Sequence, residues 1–372
     1  MAINRQSDAP LNDDEIKLLA PVGFADDTKR SATAVLIDHD MRYTDSSHKG
    51  VEILPLQVAL ERYDWVQNLM FNLIAPDENE LLRQSVELLN DPIGHFVYVK
   101  PGVRLTQPVQ TFTLMETPQR RQFTHNITVI GEGAEVEFIS GAAVPARVQA
   151  GHHVSIEETY VRRGAHCRSI SIERWGTNMA VDSYSRADIG ENAEMISTQI
   201  NLAPLKQHLS DSKTRVGANG VCNDQAIVFA PEGTERHFQS ETLLTAPGAR
   251  AESISRMVAA GGSISNRALL IGAAPNTSGF LGCDGLKLSD EGEIFAEPSL
   301  KALNAQAELS HEASVGMISS DKLAYLMASG LDEDSARDLI VQGFLKLQDQ
   351  YVPDEMRRQI TEMIAAAKSG GM

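Results

Sequence analysis

Small-residue turns recur roughly every 30 residues through the middle of the chain, and this repeat limits its folding more than any other feature. Gly133-Ala134, Gly164-Ala165, Asn192-Ala193, Gly217-Ala218 and Gly248-Ala249 place their alanines 31, 28, 25 and 31 residues apart. Segments of alternating polarity follow such turns, as in Ala134 to Ile139 and His166 to Ile172. That alternation is the period of a strand with one buried face. One coil of this length cannot bury its own inward face. Stacked coils bury a continuous column of Val, Ile, Leu and Ala, so the repeat suits a solenoid of parallel strands, a β-helix. An antiparallel sandwich with evenly placed turns would carry the same pattern, and periodicity alone does not separate the two.

The repeat occupies residues 93–318, between two regions of helical patterning. In residues 1–92, Leu56, Leu60, Tyr63, Val66, Leu69, Met70 and Leu73 form one apolar helix face; Pro76 stops it, and Asp77 with Glu80 opens another helix. In residues 319–372, Ser320-Asp321 caps a helix carrying Leu323, Leu326, Met327 and Leu331. Asp332 caps a second with Ala336, Leu339, Ile340 and Phe344, and Pro353 opens a third through Met356, Ile360, Met363 and Ile364. So much apolar surface on short helices suits either a plug for the solenoid or a docking face for a partner.

The formal net charge of −17 comes with no basic stripe, which argues against nucleic acid. No apolar run approaches the roughly 18 residues of a membrane span. Met1 to Asp14 is polar and acidic and has no signal-peptide core, so a cytoplasmic protein is expected. The three cysteines, Cys167, Cys222 and Cys283, make no disulfide framework and cannot supply a four-thiolate site within one chain. No GxxxxGK[ST] loop is present, so ATP is not bound that way. His311-Glu312 begins like a zinc-protease HExxH, but Val315 stands at the fifth position.

Cys283 lies in the glycine-rich stretch Gly279 to Gly285, and His311-Glu312 follows 28 residues later, near the coil length. Residues one coil apart in a parallel β-helix lie on adjacent strands about 4.8 Å apart. The spacing can therefore gather a thiolate, an imidazole and a carboxylate, donors suited to iron or zinc. Strand alternation opposes this in part, because His311 and Glu312 cannot both face Cys283 without a bulge or a strand end. A buried cysteine beside a solvated His-Glu pair is the simpler reading of the same residues.

His311 to Ile318, Leu323 to Leu331 and Ala336 to Phe344 closely resemble the C-terminal signature of the SufB/SufD family of iron–sulfur cluster assembly scaffolds. Pro298-Ser299-Leu300, Cys283-Asp284 and Asn266-Arg267-Ala268 fall where that pattern expects them. Val99 to Val103 resembles the start of its core, and Gly164-Ala165 through Arg174-Trp175 a segment that usually ends in Gln-Asn-Trp.

The resemblance implies a mainly β chain: a right-handed parallel β-helix core flanked by N- and C-terminal helical regions. It also implies an assembly scaffold rather than an enzyme. A partner ATPase of the ABC type (SufC-like) would grip the C-terminal helices, and a nascent, transiently bound iron–sulfur cluster would form where two β-helices meet. The cluster-binding positions implied are Cys283, His311 and Glu312, and the full set suits a homodimer. Three departures concern sulfur delivery. The mid-core cysteine of larger members is absent from Tyr184 to Gly190, a Gly-Cys pair is replaced by Gly141-Ala142-Ala143, and Gln-Asn-Trp reads Glu173-Arg174-Trp175. Cys167 is a candidate substitute relay. The alternatives are a structural companion subunit that bears no cluster, and a β-helix enzyme acting on polysaccharide. The 5% aromatic content counts against the enzyme.

Overall fold

The computed structural model describes residues 10–25, 29–87, 91–118 and 120–345. Helix α1 (Asp13–Leu19) starts at Asn12, whose side chain accepts from the N–H groups of Asp14 and Glu15. A 3₁₀ turn (Ala20–Val22) leads to β1 (Ala32–Ile37), β2 (Asp40–Ser46) and β3 (Val51–Pro55). Helices α2 (Leu56–Arg62), α3 (Asp64–Gln67) and α4 (Glu80–Glu87) follow. Then come β4 (His95–Val99), β5 (Val109–Leu114), β6 (Gln122–Ile130), β7 (Glu135–Ala143), β8 (Ala150–Val161) and β9 (His166–Arg174). The repeat continues with β10 (Asn178–Ile189), β11 (Glu194–Asn201), β12 (Gln207–Val216), β13 (Val221–Pro231) and β14 (Glu235–Leu244). It ends with β15 (Arg250–Ala260), β16 (Ser263–Gly272), β17 (Ser278–Lys287), β18 (Glu293–Ala302) and β19 (Glu308–Met317). Two helices follow, α5 (Ser320–Ala328) and α6 (Glu333–Phe344).

From β4 onward, successive strands alternate between two sheets, and every pairing along each sheet is parallel. The chain is thus a parallel β-solenoid of about eight turns with terminal helices. The sandwich alternative is excluded by this pairing. From β7 to β17, each turn into the ten-stranded sheet holds a residue of positive φ, supplied in sequence by Gly133, Gly164, Asn192, Asn219, Gly248 and Asn276. Glycine and asparagine are the residues that adopt this conformation at least cost. The fourth turn is Asn219-Gly220 rather than Gly217-Ala218: the Gly220 N–H bonds Gly217 O just as the Ala193 N–H bonds Gly190 O.

The N-terminal region is not only helical. Strand β1 pairs in parallel with β5, and β3 pairs antiparallel with β4, so residues 1–92 add three strands to the sheets. A short apolar run such as Ala32–Ile37 carries no helical or strand period of its own. The apolar face begun at Leu56 is likewise broken, because α2 ends at Arg62 and Phe71 has a φ of 57°. The last expected helix, from Pro353, lies outside the described residues.

The alternation in β9 runs opposite to a simple apolar-inside reading. Ile170 and Ile172 face outward into a cluster with Leu19, Val22 and Val341, so α1, the 3₁₀ turn and α6 cover them. Cys167, Ser169, Ser171 and Glu173 face inward. Apolar clusters cover both faces of the ten-stranded sheet over much of its length, up to the exposed β19. On the nine-stranded sheet, α2, α3 and the segment up to α4 cover the first strands through clusters around Phe96, Tyr160 and Phe123.

Candidate functional site

Strand register decides which side chains can meet. Going up the ten-stranded sheet, Ser171, Gln199, Ala226, Ser255, Cys283 and Ala313 stack in one inward column. Ser169, Ser197, Asp224, Ser253, Leu281 and His311 form the next. Cys283 and His311 therefore share the inward face as diagonal neighbours on adjacent strands, a separation long side chains can span. Glu312 is in register with Gly282 and takes the opposite face. No bulge interrupts β17 and β19. The coil here measures 30 residues rather than 28, because residues 288–292 form a longer connection than the turn one coil earlier.

Cys283 is 2% exposed and packs with Met257 and Ile264. The Asn266 Nδ2 on the facing sheet donates to its Sγ at 3.5 Å. Burial pushes the thiol up and the neighbouring Asp284 adds to this, while the Asn266 amide opposes it. One coil further, His311 and Glu312 are exposed, as is nearly all of β19. Ser314 ties β19 back to β17 by donating to Asp284 Oδ1 at 2.8 Å. Among the described residues, no group of three or more His, Cys, Asp or Glu is arranged to hold a metal ion. One chain thus offers a sulfur and a nitrogen on one face, and a carboxylate on the other.

Behind Cys283 the two sheets enclose a cavity of about 230 Å³ that reaches from Thr111 on β5 to Asn266 on β16. Its walls are largely hydroxyl-bearing, with Ser169, Ser171, Ser183, Ser185, Ser210 and Ser212 among them. Serine suits such a wall because a hydroxyl can turn to find a partner. Three carboxyls face the lumen, Glu157, Glu173 and Asp224, and burial raises all three. The Ser197 hydroxyl donates to Asp224 Oδ1, and Cys222 Sγ donates to Asp224 Oδ2 at 3.3 Å.

Cys167 also lines the lumen, its thiol pushed up to about 12 by burial and by Glu157. Both this thiol and that of Cys222, held well above its usual value, are therefore neutral thiols, not thiolates. His208 is 2% exposed, neither ring nitrogen has a hydrogen-bond partner, and burial lowers it to about 3. Sequence reasoning missed the lumen, His208 and Asp224. Serines at every second position, as at 169 and 171, 183 and 185, 210 and 212, were the signal available.

Residues 112–344 match the family described as SUF system FeS cluster assembly, SufBD core domain. A protein of Archaeoglobus fulgidus named iron-sulfur cluster assembly SufBD family protein is 32% identical over 343 residues, 92% of either chain. One of the same name from Methanothermobacter thermautotrophicus is 29% identical over 349 residues, 93% of this chain and 85% of the relative. A third, from Pyrococcus horikoshii, is 32% identical over 332 residues, 87% of this chain and 72% of the relative.

Proposed function

Because this chain belongs to the SufBD family and is thereby involved in iron–sulfur cluster assembly, we propose that it is a scaffold: a nascent cluster is built at the C-terminal end of its solenoid, between two copies. The observation that carries this reading is the shared inward face of Cys283 and His311 beside an exposed last coil. Thiolate and imidazole are donors that suit iron. Two donors from each of two copies make the four that a cluster takes, whereas one chain with three dispersed cysteines cannot supply them. Glu312, on the outer face, would accept iron at the seam or hold the neighbouring copy, not share an ion with Cys283 of its own chain.

Strand edges favour the same end. β18 and β19 are the terminal strands of the two sheets, ten residues each. Among the described residues no strand pairs beyond them, and an unpaired edge of that length is a template for another chain. Pro298 blunts β18, since proline brings no N–H to a ladder. β19 has no proline, and it exposes Val315 and Met317. A second copy pairing there would lie against the face that carries His311.

The buried position of Cys283 means that cargo reaches the thiol only when the last coil shifts. A partner ATPase of the ABC type, gripping α5 and α6, supplies that shift in this reading. Tyr325, Met327 and Leu339 support the docking face, at 73%, 42% and 50% exposure on two short helices. ATP hydrolysis then belongs to the partner, and this chain is no enzyme. A cytoplasmic location goes with the proposal; no helix of the described residues is long and apolar enough to cross a membrane.

Anaerobic reconstitution with ferrous iron and sulfide tests the scaffold role. The full chain with its ATPase should become brown, and Cys283→Ala should stay pale at equal folded concentration. Normal loading of Cys283→Ala would leave the companion-subunit reading in its place.

A further inference from the structure

One polar side chain, Asn266, lines the lumen and also bonds Cys283. Asn266 sits on β16, in the nine-stranded sheet, and is 5% exposed. It lines the cavity, as do Phe238 and Met257. Cys283, on β17 of the opposite sheet, is 17 residues away in sequence and lies on the other side of that amide.

The apolar side chains packed with Cys283 are Met257 and Ile264, with Phe238, Ile294 and Ala296 beside them, and Ser255 precedes it in the same column. Such a pocket would hold a small side chain in any rotamer that fits. A polar amide buried there at the end of a serine-lined passage needs a partner, because an unpaired buried donor is costly. The sulfur at 3.5 Å is the partner its Nδ2 finds. The contact crosses from sheet to sheet, so it is set by how the coils stack and not by the local run of either strand.

We propose that Asn266 is the positioning residue of the cluster site: it lines the lumen and holds the Cys283 sulfur in one orientation from the opposite sheet. This rests on Cys283 being the site of assembly. The contact itself can be tested without iron.

Two variants separate the parts of the proposal. Asn266→Leu keeps the branching at Cγ and removes the N–H, and Asn266→Gln restores an amide. The first measurement is the S–H stretching band of Cys283 in the full chain, identified by subtracting the spectrum of Cys283→Ala. The band should shift in Asn266→Leu and return toward its wild-type position in Asn266→Gln, with the bands of Cys167 and Cys222 unmoved. The second is the rate of anaerobic loading with ferrous iron and sulfide. Loading should slow about tenfold or more in Asn266→Leu, the range expected when a hydrogen bond to a reacting group is lost, and should recover in Asn266→Gln. An unmoved band in Asn266→Leu overturns the contact, and a moved band with unchanged loading overturns the positioning role. If Cys283→Ala loads normally, the assembly reading fails on its own account while the band shift still reports the contact.

Discussion

The two ends of the solenoid handle the same problem in opposite ways. At the N-terminal end the sheets finish in β2, which carries Asp40, Arg42 and Asp45, and in the five-residue β3, which ends at Pro55. Short, charged or proline-marked strands do not recruit further chains. The outer faces there are covered, by α1 on one sheet and by α2 and the segment that follows it on the other. At the C-terminal end, β18 and β19 are twice as long as β3, and most of their residues are exposed. The covered end is built for stability, and the bare end keeps a strand edge available at the coil that carries His311 and Glu312. Under the proposed function, stability and assembly chemistry occupy different coils of one repeat.

If that division is right, the largest loss of stability comes from the covered half. Glu158 is fully buried; its carboxylate accepts from the Phe71 N–H at 2.7 Å and the Leu73 N–H at 2.5 Å, and meets His125 Nε2 at 2.9 Å. It fastens the N-terminal segment to the sheet. Glu158→Ala strands those groups without a partner and should cost about 3–5 kcal/mol in urea unfolding. A loss below about 1 kcal/mol would mean that the N-terminal cover is not what holds this half together.

A smaller effect should arise inside the lumen. Burial keeps His208 neutral, lowering it from 6.5 to about 3. Between those values the unfolded chain binds a proton that the folded chain does not, so stability falls as pH drops below 6.5. Compared with His208→Gln, the native protein should lose up to about 1.4 kcal/mol for each pH unit from 6.5 toward 4. Paired unfolding curves at pH 7 and pH 5 measure this, and parallel behaviour would show that His208 finds a partner in the lumen.

The exposed end should contribute least to the stability of a single chain. Val315→Asp and Glu312→Ala are expected to change it by no more than about 0.5 kcal/mol. Under the two-copy reading, Val315→Asp nonetheless abolishes self-association in sedimentation velocity. A Val315→Asp chain that still sediments as a dimer would move the seam away from β19.

Much of this was legible before any coordinates. The glycine and asparagine turns reported the coil, because a positive φ once per turn leaves its mark on residue type whatever surrounds it. The signature from His311 to Phe344 pointed to the family and to Cys283, His311 and Glu312. The interior was harder to read. Ile170 and Ile172 look like core and are core, yet of the outer layer, since the helices that bury them come from both ends of the chain. The extra residues at 288–292 moved His311 opposite Leu281 instead of Cys283, a shift that a count of 28 could not reveal.

The sequence alone determined the repeat and most of the turn chemistry, and it named Cys283, His311 and Glu312 as candidates, because these depend on local backbone preference and on side-chain type. Tertiary structure decided which face each strand turns inward, that a hydroxyl-lined lumen runs between the sheets, and that Asn266 meets Cys283 from the facing sheet. Those outcomes depend on register between coils about 30 residues apart, where a slip of one residue reverses every side chain.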